Sequence, residues 1–316
     1  ALGPLGRRTS LAGAACAQRR AIGMFSLHGD PGINRVGPWV HRLHVGPEEQ
    51  ARALVRGARR VMRLSRAAVL FPETAYGEAG AAAFARAWLA DAGVLAGVSS
   101  YPERTTDYRR PLGALTGLYA WVGDDTDRRK SPGKAGYVRV GRAPLVDFDT
   151  LFVPDYHARI ARILGFLPGS GIQNGEGGDG VAVQMLGLSG WHGDTMGLTG
   201  SMAAGAVIVD VFAGEAGGGR AESFFREFGS RTGRDPSDVE AEAFDGAVML
   251  GMMMRDVARR QASWRTRGRR ALVANLHAMK PWRGACGAVH FATDGSPVRE
   301  LSMFRFDMDG ALAPLD

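Results

Sequence analysis

The chain has 316 residues, 45% of them hydrophobic and 22% charged, with a formal net charge of +7. That length exceeds the usual ceiling for one hydrophobic core and predicts two domains of roughly 150 residues each, while the composition excludes a disordered chain. Only Lys130, Lys134 and Lys280 among the 39 basic residues are lysines, and the arginines are spread along the whole length, which argues against the clustered basic face of a nucleic-acid binder.

From the amino end, "GRRTSLAGAAC" imitates an export signal, but its apolar stretch ends at Gln18-Arg19-Arg20 and it reads as mature helix. The first residue is Ala1, so the chain reads as a processed or truncated piece. No apolar run approaches the ~20 residues that span a bilayer.

Short apolar runs then alternate with longer amphipathic or alanine-rich segments. "AIGMFSL" (21–27), "RAAVLFP" (66–72), "VLAGVSSY" (94–101), "FDTLFVPD" (148–155), "VAVQMLGLSG" (181–190) and "GAVIVDVF" (205–212) predict buried strands bounded by glycine, proline or aspartate. Helices are predicted at 10–19, 47–63, 78–92, 107–118 and 157–167; the second opens on "GPEEQ", with proline and acids where a helix N-terminus favours them. This alternation predicts an α/β fold with mostly parallel sheets flanked by helices.

Beyond residue 218 the pattern turns helical. Met252, Met253 and Met254 there read as core filler rather than a metal site. The basic stretch "ARRQASWRTRGRR" (258–270) reads as a solvated connection between helices, with contact to an anionic partner as the other reading. The end holds two strand-like runs with Asp-Gly turns at 294–295 and 309–310. The segment "GDDTDRRKSPGKAG" (123–136) reads as a surface loop. "LPGSGIQNGEGGDG" (167–180) is glycine-rich but follows a helix and precedes a strand, the wrong context for a dinucleotide loop. Cys16 and Cys286 lack metal-ligand spacing, which leaves a disulfide between them open.

In parallel α/β sheets ligands sit at the carboxyl ends of the strands. The tips are "SLHGD" (26–30), "PETAYG" (72–77), "PDYH" (154–157) and "LSGWHGD" (188–194). Tyr76 at such a tip offers ring area and a hydroxyl, while Gly77 permits close helix approach. Catalysis is disfavoured. "LGLSGW" misses a nucleophile elbow because Trp191 stands where the second glycine belongs, and "HRLH" (41–44) has no acidic partner at metal-site spacing. No cofactor or metal is expected.

With these tips in order the chain resembles the type I periplasmic binding proteins, the leucine/isoleucine/valine-binding kind used by ABC transporters. The phrases that carry the resemblance are "ALGPLGRRTS", "GMFSLHGD", "GPWVHRLHVGPEEQARAL", "AAVLFPETAYGEAGAAAF", "TTDYRRPLGAL", "FREFGSRTGRDP", "EAFDGAVML" and "GAVHFATDGSPV". Within that family "VDFDTLFVPDYHARIARIL" and "LGLSGWHGDTM" are similar to the branch of penicillin-binding protein activators.

The resemblance implies two lobes, residues 1–42 with 218–285 and residues 43–217 with 286–316, the first lacking strand-helix units that family members carry before the position of Ala1. It implies a non-catalytic envelope protein, periplasmic or anchored at the outer membrane, that binds a small solute in the cleft between lobes. The solute would be an amino acid, a sugar or a cell-wall fragment, and the partner an ABC permease. The alternative is activation of a penicillin-binding protein by contact, through the basic stretch 258–270. Nucleic acid is not an expected partner. The ligand-binding candidates are Arg8 and Ser10, with Thr9 in the same loop, then Ser26, His28, Tyr76, Tyr156, Ser189 and Trp191. Ser189 stands where amino-acid binders of the family carry the glutamate that holds the ammonium group, which points towards an anionic or sugar-like ligand. His28 and His192 have a structural reading as well, Trp191 reads equally as a cap on the cleft floor, and Asp245 reads as a helix-packing residue.

Overall fold

The computed structural model describes residues 1–122, 136–175, 180–193, 195–212, 214–260 and 268–315. The chain divides into two compact units: Ala1–Glu49 with Asp210–Ser302, and Gln50–Val209 with Met303–Asp316. The sequence placed 286–316 wholly in the second lobe, whereas 286–302 packs with unit 1. The reason is local hydrogen bonding. Strands β11 (Trp282–Gly284), β12 (Gly287–Phe291) and β13 (Pro297–Arg299) form one antiparallel sheet, with Trp282 opposite Val289 and Phe291 opposite Pro297, so a boundary at 285/286 would cut through a hairpin turn.

Unit 1 begins with helix α1 (Arg7–Arg19), built from the segment that imitates a signal, followed by strands β1 (Met24–Ser26) and β2 (Val40–Arg42). The two strands pair in parallel and Leu2 adds a parallel bridge to Phe25. β2 was not among the predicted strands; its three residues are all buried, but a Val-His-Arg run shows no apolar alternation. Helices α6 (Gly219–Thr232), α7 (Asp238–Arg260) and α8 (Arg269–Ala278) complete the unit. Phe25, Leu27, Leu43, Met249, Met253, Leu272, Leu276, Val289 and Phe291 form its core. Met253 is thus the buried member of the methionine cluster, while Met252 and Met254 are each 47% exposed on the other faces of α7. Most of the basic stretch, 261–267, lies outside the described residues.

Unit 2 carries α2 (Pro47–Arg60), β3 (Arg66–Pro72), α3 (Ala75–Ala90), β4 (Val94–Tyr101), α4 (Arg109–Leu115), the hairpin β5 (Tyr119–Val122) and β6 (Gly136–Arg139), β7 (Thr150–Phe152), α5 (His157–Leu164), β8 (Ile172–Asn174), β9 (Val181–Gly187) and β10 (Val207–Asp210). The hairpin's outer portion, 123–135, falls outside the described residues. Strands β14 (Ser302–Phe306) and β15 (Leu312–Pro314) return to the same sheet, whose order is β15-β14-β10-β9-β7-β3-β4 with β8 beside β9. The pairs β3–β4, β3–β7, β7–β9 and β9–β10 are all parallel. Part of the glycine-rich segment expected to be irregular is β8, held in register by Ile172 against Val181.

This strand order contains a reversal of winding. From β3 the chain steps to β4 on one side and then crosses to β7 on the other, so the direction of winding reverses between β3 and β7. At such a reversal the connections leave on opposite faces and open a crevice at the carboxyl ends of the two strands.

Candidate functional site

The tip of β3 answers why an aromatic residue and a glycine stand where a strand becomes a helix. Ala67, Ala68, Val69 and Leu70 are buried, and Pro72 ends the strand by withholding a backbone donor. Thr74 caps α3: its extended backbone places the hydroxyl to accept the Gly77 N–H at 3.2 Å. Tyr76 therefore sits in the first turn. Gly77 folds back onto the strand so closely that a Cβ would lie 2.4 Å from the Pro72 carbonyl oxygen, so only glycine fits. One turn on, a Cβ at Gly80 would meet Pro154 at 2.7 Å, which brings α3 against the loop after β7.

At that second tip Tyr156 is the extended N-cap of α5. Its ring stacks on Tyr76 with centroids 4.8 Å apart and planes 24° from parallel, and Tyr156 remains 48% exposed. Beneath the pair is Asp155, fully buried. Its Oδ1 accepts from the Tyr156 N–H at 2.8 Å and from Arg159 Nη2 at 2.5 Å; its Oδ2 accepts from Tyr101 Oη and Arg159 Nε, both at 2.6 Å. Burial first, and then the Asp155 charge, push the Tyr101 hydroxyl pKa well up, so it stays protonated as a donor.

The third wall comes from the turn after β9, Ser189–Trp191. A Cβ on Gly190 would lie 2.9 Å from the Asp155 carbonyl oxygen, 3.1 Å from Tyr76 Oη and 3.2 Å from the Tyr156 ring. Gly190 thus lets the turn pack directly against the Asp155 backbone and both tyrosines, where a side chain would not fit. Ser189 is buried and its N–H donates to Gln50 Oε1 at 3.0 Å. Trp191 is corrected from ligand contact to core. Its indole is fully buried, donates to the Val153 carbonyl at 2.8 Å, and packs over Gly187, the one residue small enough to admit it.

In unit 1 the candidates divide in the same way. Ser10 is buried with its hydroxyl donating to the Pro4 carbonyl at 3.0 Å, and Ser26 is buried with its Oγ accepting the His28 N–H at 3.2 Å. Both are corrected to structural serines that tie down backbone. Arg8 is exposed in the first turn of α1, and so is Thr9, whose hydroxyl donates to the Gly6 carbonyl. His28 is half-buried at the tip of β1, and its Nδ1 accepts the Asp30 N–H at 3.0 Å, which leaves Nε2 as the protonated nitrogen of the neutral ring. Burial lowers its pKa, with Asp30 opposing. Burial works to raise the Asp30 pKa, but the Gly32 N–H and Arg7 outweigh it and hold the carboxyl below its usual range. Buried Arg42 joins the two loops of this tip, donating to the Gly29 carbonyl at 2.7 Å and to Glu49 at 2.9 Å.

Deeper in unit 1, His44 Nδ1 lies 2.8 Å from the buried Glu242 carboxylate; burial alone would lower the His44 pKa, but Glu242 outweighs it and raises it to about 9. Asp245 accepts the N–H groups of Ala285 and Cys286, a role in packing rather than binding. Cys286 is buried and Cys16 is also a free thiol, which closes the disulfide reading. Among the described residues no three His, Cys, Asp or Glu side chains are grouped to hold a metal, and no helix is long and apolar enough to cross a membrane.

Sequence reasoning missed Asp155, Arg159, Tyr101 and Gly190. Asp155 and Arg159 were legible as an acid and a base four residues apart at a helix start. Tyr101 and Gly190 carried no local signal, because both act on residues of other strands.

Residues 175–311 match the model of a family described as periplasmic binding protein. Over 100% of its length the chain superposes on 78% of a leucine-binding protein from Thermotoga maritima, with a TM-score of 0.71 and 15% identity. A benzoate-bound solute-binding protein from R. palustris gives 0.73 and 13% over 99% of this chain and 76% of that one. A putative branched-chain amino acid ABC transporter protein from Rhodospirillum rubrum gives 0.74 and 16% over 99% and 79%. No protein of curated function matches. At these identities the likeness is one of fold, that of the type I periplasmic binding proteins.

Proposed function

We propose that this chain is a non-catalytic solute-binding protein of the ABC-transporter kind, working outside the cytoplasmic membrane, and that its unit 2 holds a small solute at the tips of β3, β7 and β9. The observation that carries this reading is the stacked pair Tyr76–Tyr156 at the reversal point of the parallel sheet, one ring half-exposed and both packed against Gly190. A half-exposed tyrosine held flat by a second ring gives an apolar platform with little entropy left to lose on binding. The fold and the match of 175–311 to the periplasmic binding protein family support it, as do solved relatives bound to benzoate or isoleucine.

Titration calorimetry with leucine, isoleucine, benzoate and 4-hydroxybenzoate tests the reading. At least one should bind with heat. Tyr156→Ala should weaken it tenfold or more, about 1.4 kcal/mol, with the fold intact by circular dichroism. Silence across the panel, or an affinity indifferent to Tyr156, would remove the platform from the function.

A further inference from the structure

The chemistry beneath the tyrosine platform narrows what it can hold. A carboxylate offers about four acceptor directions. On Asp155 all four are taken, by Tyr101 Oη, the Tyr156 N–H and two nitrogens of Arg159, at 2.5 to 2.8 Å. The Asp155–Arg159 pair is therefore neutral as a unit and has no lone pair left for a ligand's N–H. Glu78, two residues after Tyr76, is exposed and lies with Phe71 and Val98 on the β4 side of β3, and Glu73, three residues before it, is exposed and accepts from Ser100 Oγ at 3.0 Å on the same side. Ser189 is neutral. An ammonium group brought to the platform would lose water without gaining Asp155, Glu73 or Glu78, which is costly for a charge.

The backbone field has the same sign. Tyr76 lies in the first turn of α3 and Tyr156 caps α5, so their contact brings two helix N-termini, each with a partial positive charge, to one place. Such a field repels a cation and favours an anion.

We propose that the platform selects apolar or planar carboxylic acids without an ammonium group over amino acids of the same skeleton, because the buried carboxylate beside it is already saturated. This rests on the binding reading above and assigns its substrate class. Arg159 acts here as a positioning residue: it does not touch the ligand, but by occupying Asp155 it removes the group that would hold an amine.

The test uses three probes that share one ring and chain, 3-phenylpropionate, L-phenylalanine and phenethylamine, titrated into the full chain. The first should bind at least tenfold more tightly than the second, and the third should not bind. Arg159→Gln frees two acceptor directions on Asp155 and should shift the ratio of the first two at least tenfold towards L-phenylalanine. Tyr101→Phe frees one and should give a smaller shift in the same direction, so the test survives if the first variant does not fold. Tyr156→Ala should weaken 3-phenylpropionate, which locates the event. L-phenylalanine or phenethylamine binding as well as the plain acid would overturn the selection while leaving the binding reading standing. So would a wild-type ratio kept by both Asp155-freeing variants, or binding of leucine or isoleucine when none of these three probes binds. Silence of all seven compounds would overturn both.

Discussion

His41 is a single side chain whose burial sets a pH limit on unit 1. It lies on β2 with no exposed surface, edge-on to Phe25 and Phe291, its Nε2 3.3 Å from that of His277. Burial, with His277 adding, pushes its pKa from 6.5 down to about 4. Between these values the unfolded chain binds a proton that the folded chain refuses, so stability is full above the unfolded pKa and falls as pH drops towards the folded one. The loss approaches about 3 kcal/mol near the lower end. Urea unfolding at about pH 7.5 and about pH 4.5 should show it, and His41→Leu should flatten most of the slope; an unaltered slope would assign the acid sensitivity to another group. His44 titrates in the opposite sense. Its raised pKa adds stability that is complete below 6.5 and lost as pH rises through about 9. Neither shift was legible in "HRLH". The two histidines share a short stretch, and only the neighbours that tertiary packing supplies, His277 for one and Glu242 for the other, drive them apart.

At the scale of elements, the hairpin β11–β12 depends on a helix it does not follow in sequence. Its turn has only Ala285 and Cys286, and both N–H groups donate to Asp245 on α7, at 2.7 and 2.9 Å, where Gly284 is pressed against the same carboxyl. Removing that acceptor strands two buried donors, each costing about 1–3 kcal/mol. Asp245→Ala should therefore destabilise by about 2–4 kcal/mol in chemical unfolding, with Asp245→Asn, which keeps one acceptor oxygen, nearer the lower end; a loss below about 1 kcal/mol would mean that water replaces the carboxylate. The elements themselves were largely legible. β3 and β4 occupy the predicted residues because each is an apolar run closed by proline, glycine or a turn, and α3 begins three residues before the predicted start because the Thr74 cap is read only when its hydroxyl is placed. β2 and β8 were not legible, since Val-His-Arg and Ile-Gln-Asn each hold one apolar residue, whereas the equally short β1 and β7 lie inside longer apolar runs.

For the molecule as a whole, unit 2 is completed by the chain's last residues. β14 covers the free side of β10, and Phe304 and Phe306 are 3% and 2% exposed, the latter stacked at 6.5 Å with Trp191. Ending the chain at Ser302 would expose that edge and remove two buried rings, each contributing about 1.5–3 kcal/mol. We expect such a chain to lose about 3–6 kcal/mol and the near-ultraviolet signal of Trp191, and unchanged spectra would show that β14 is an accessory strand. The sequence by itself determined the alternation of strands and helices, the α/β class, and which residues stand at the strand tips, because these follow from local periodicity and turn chemistry. Only the tertiary structure decided that Tyr156 stacks on Tyr76, that Trp191, Ser10 and Ser26 are interior, and that Asp155 is saturated. Those outcomes depend on which strands become neighbours, and burial of a polar or aromatic side chain is a property of the neighbours, not of the residue.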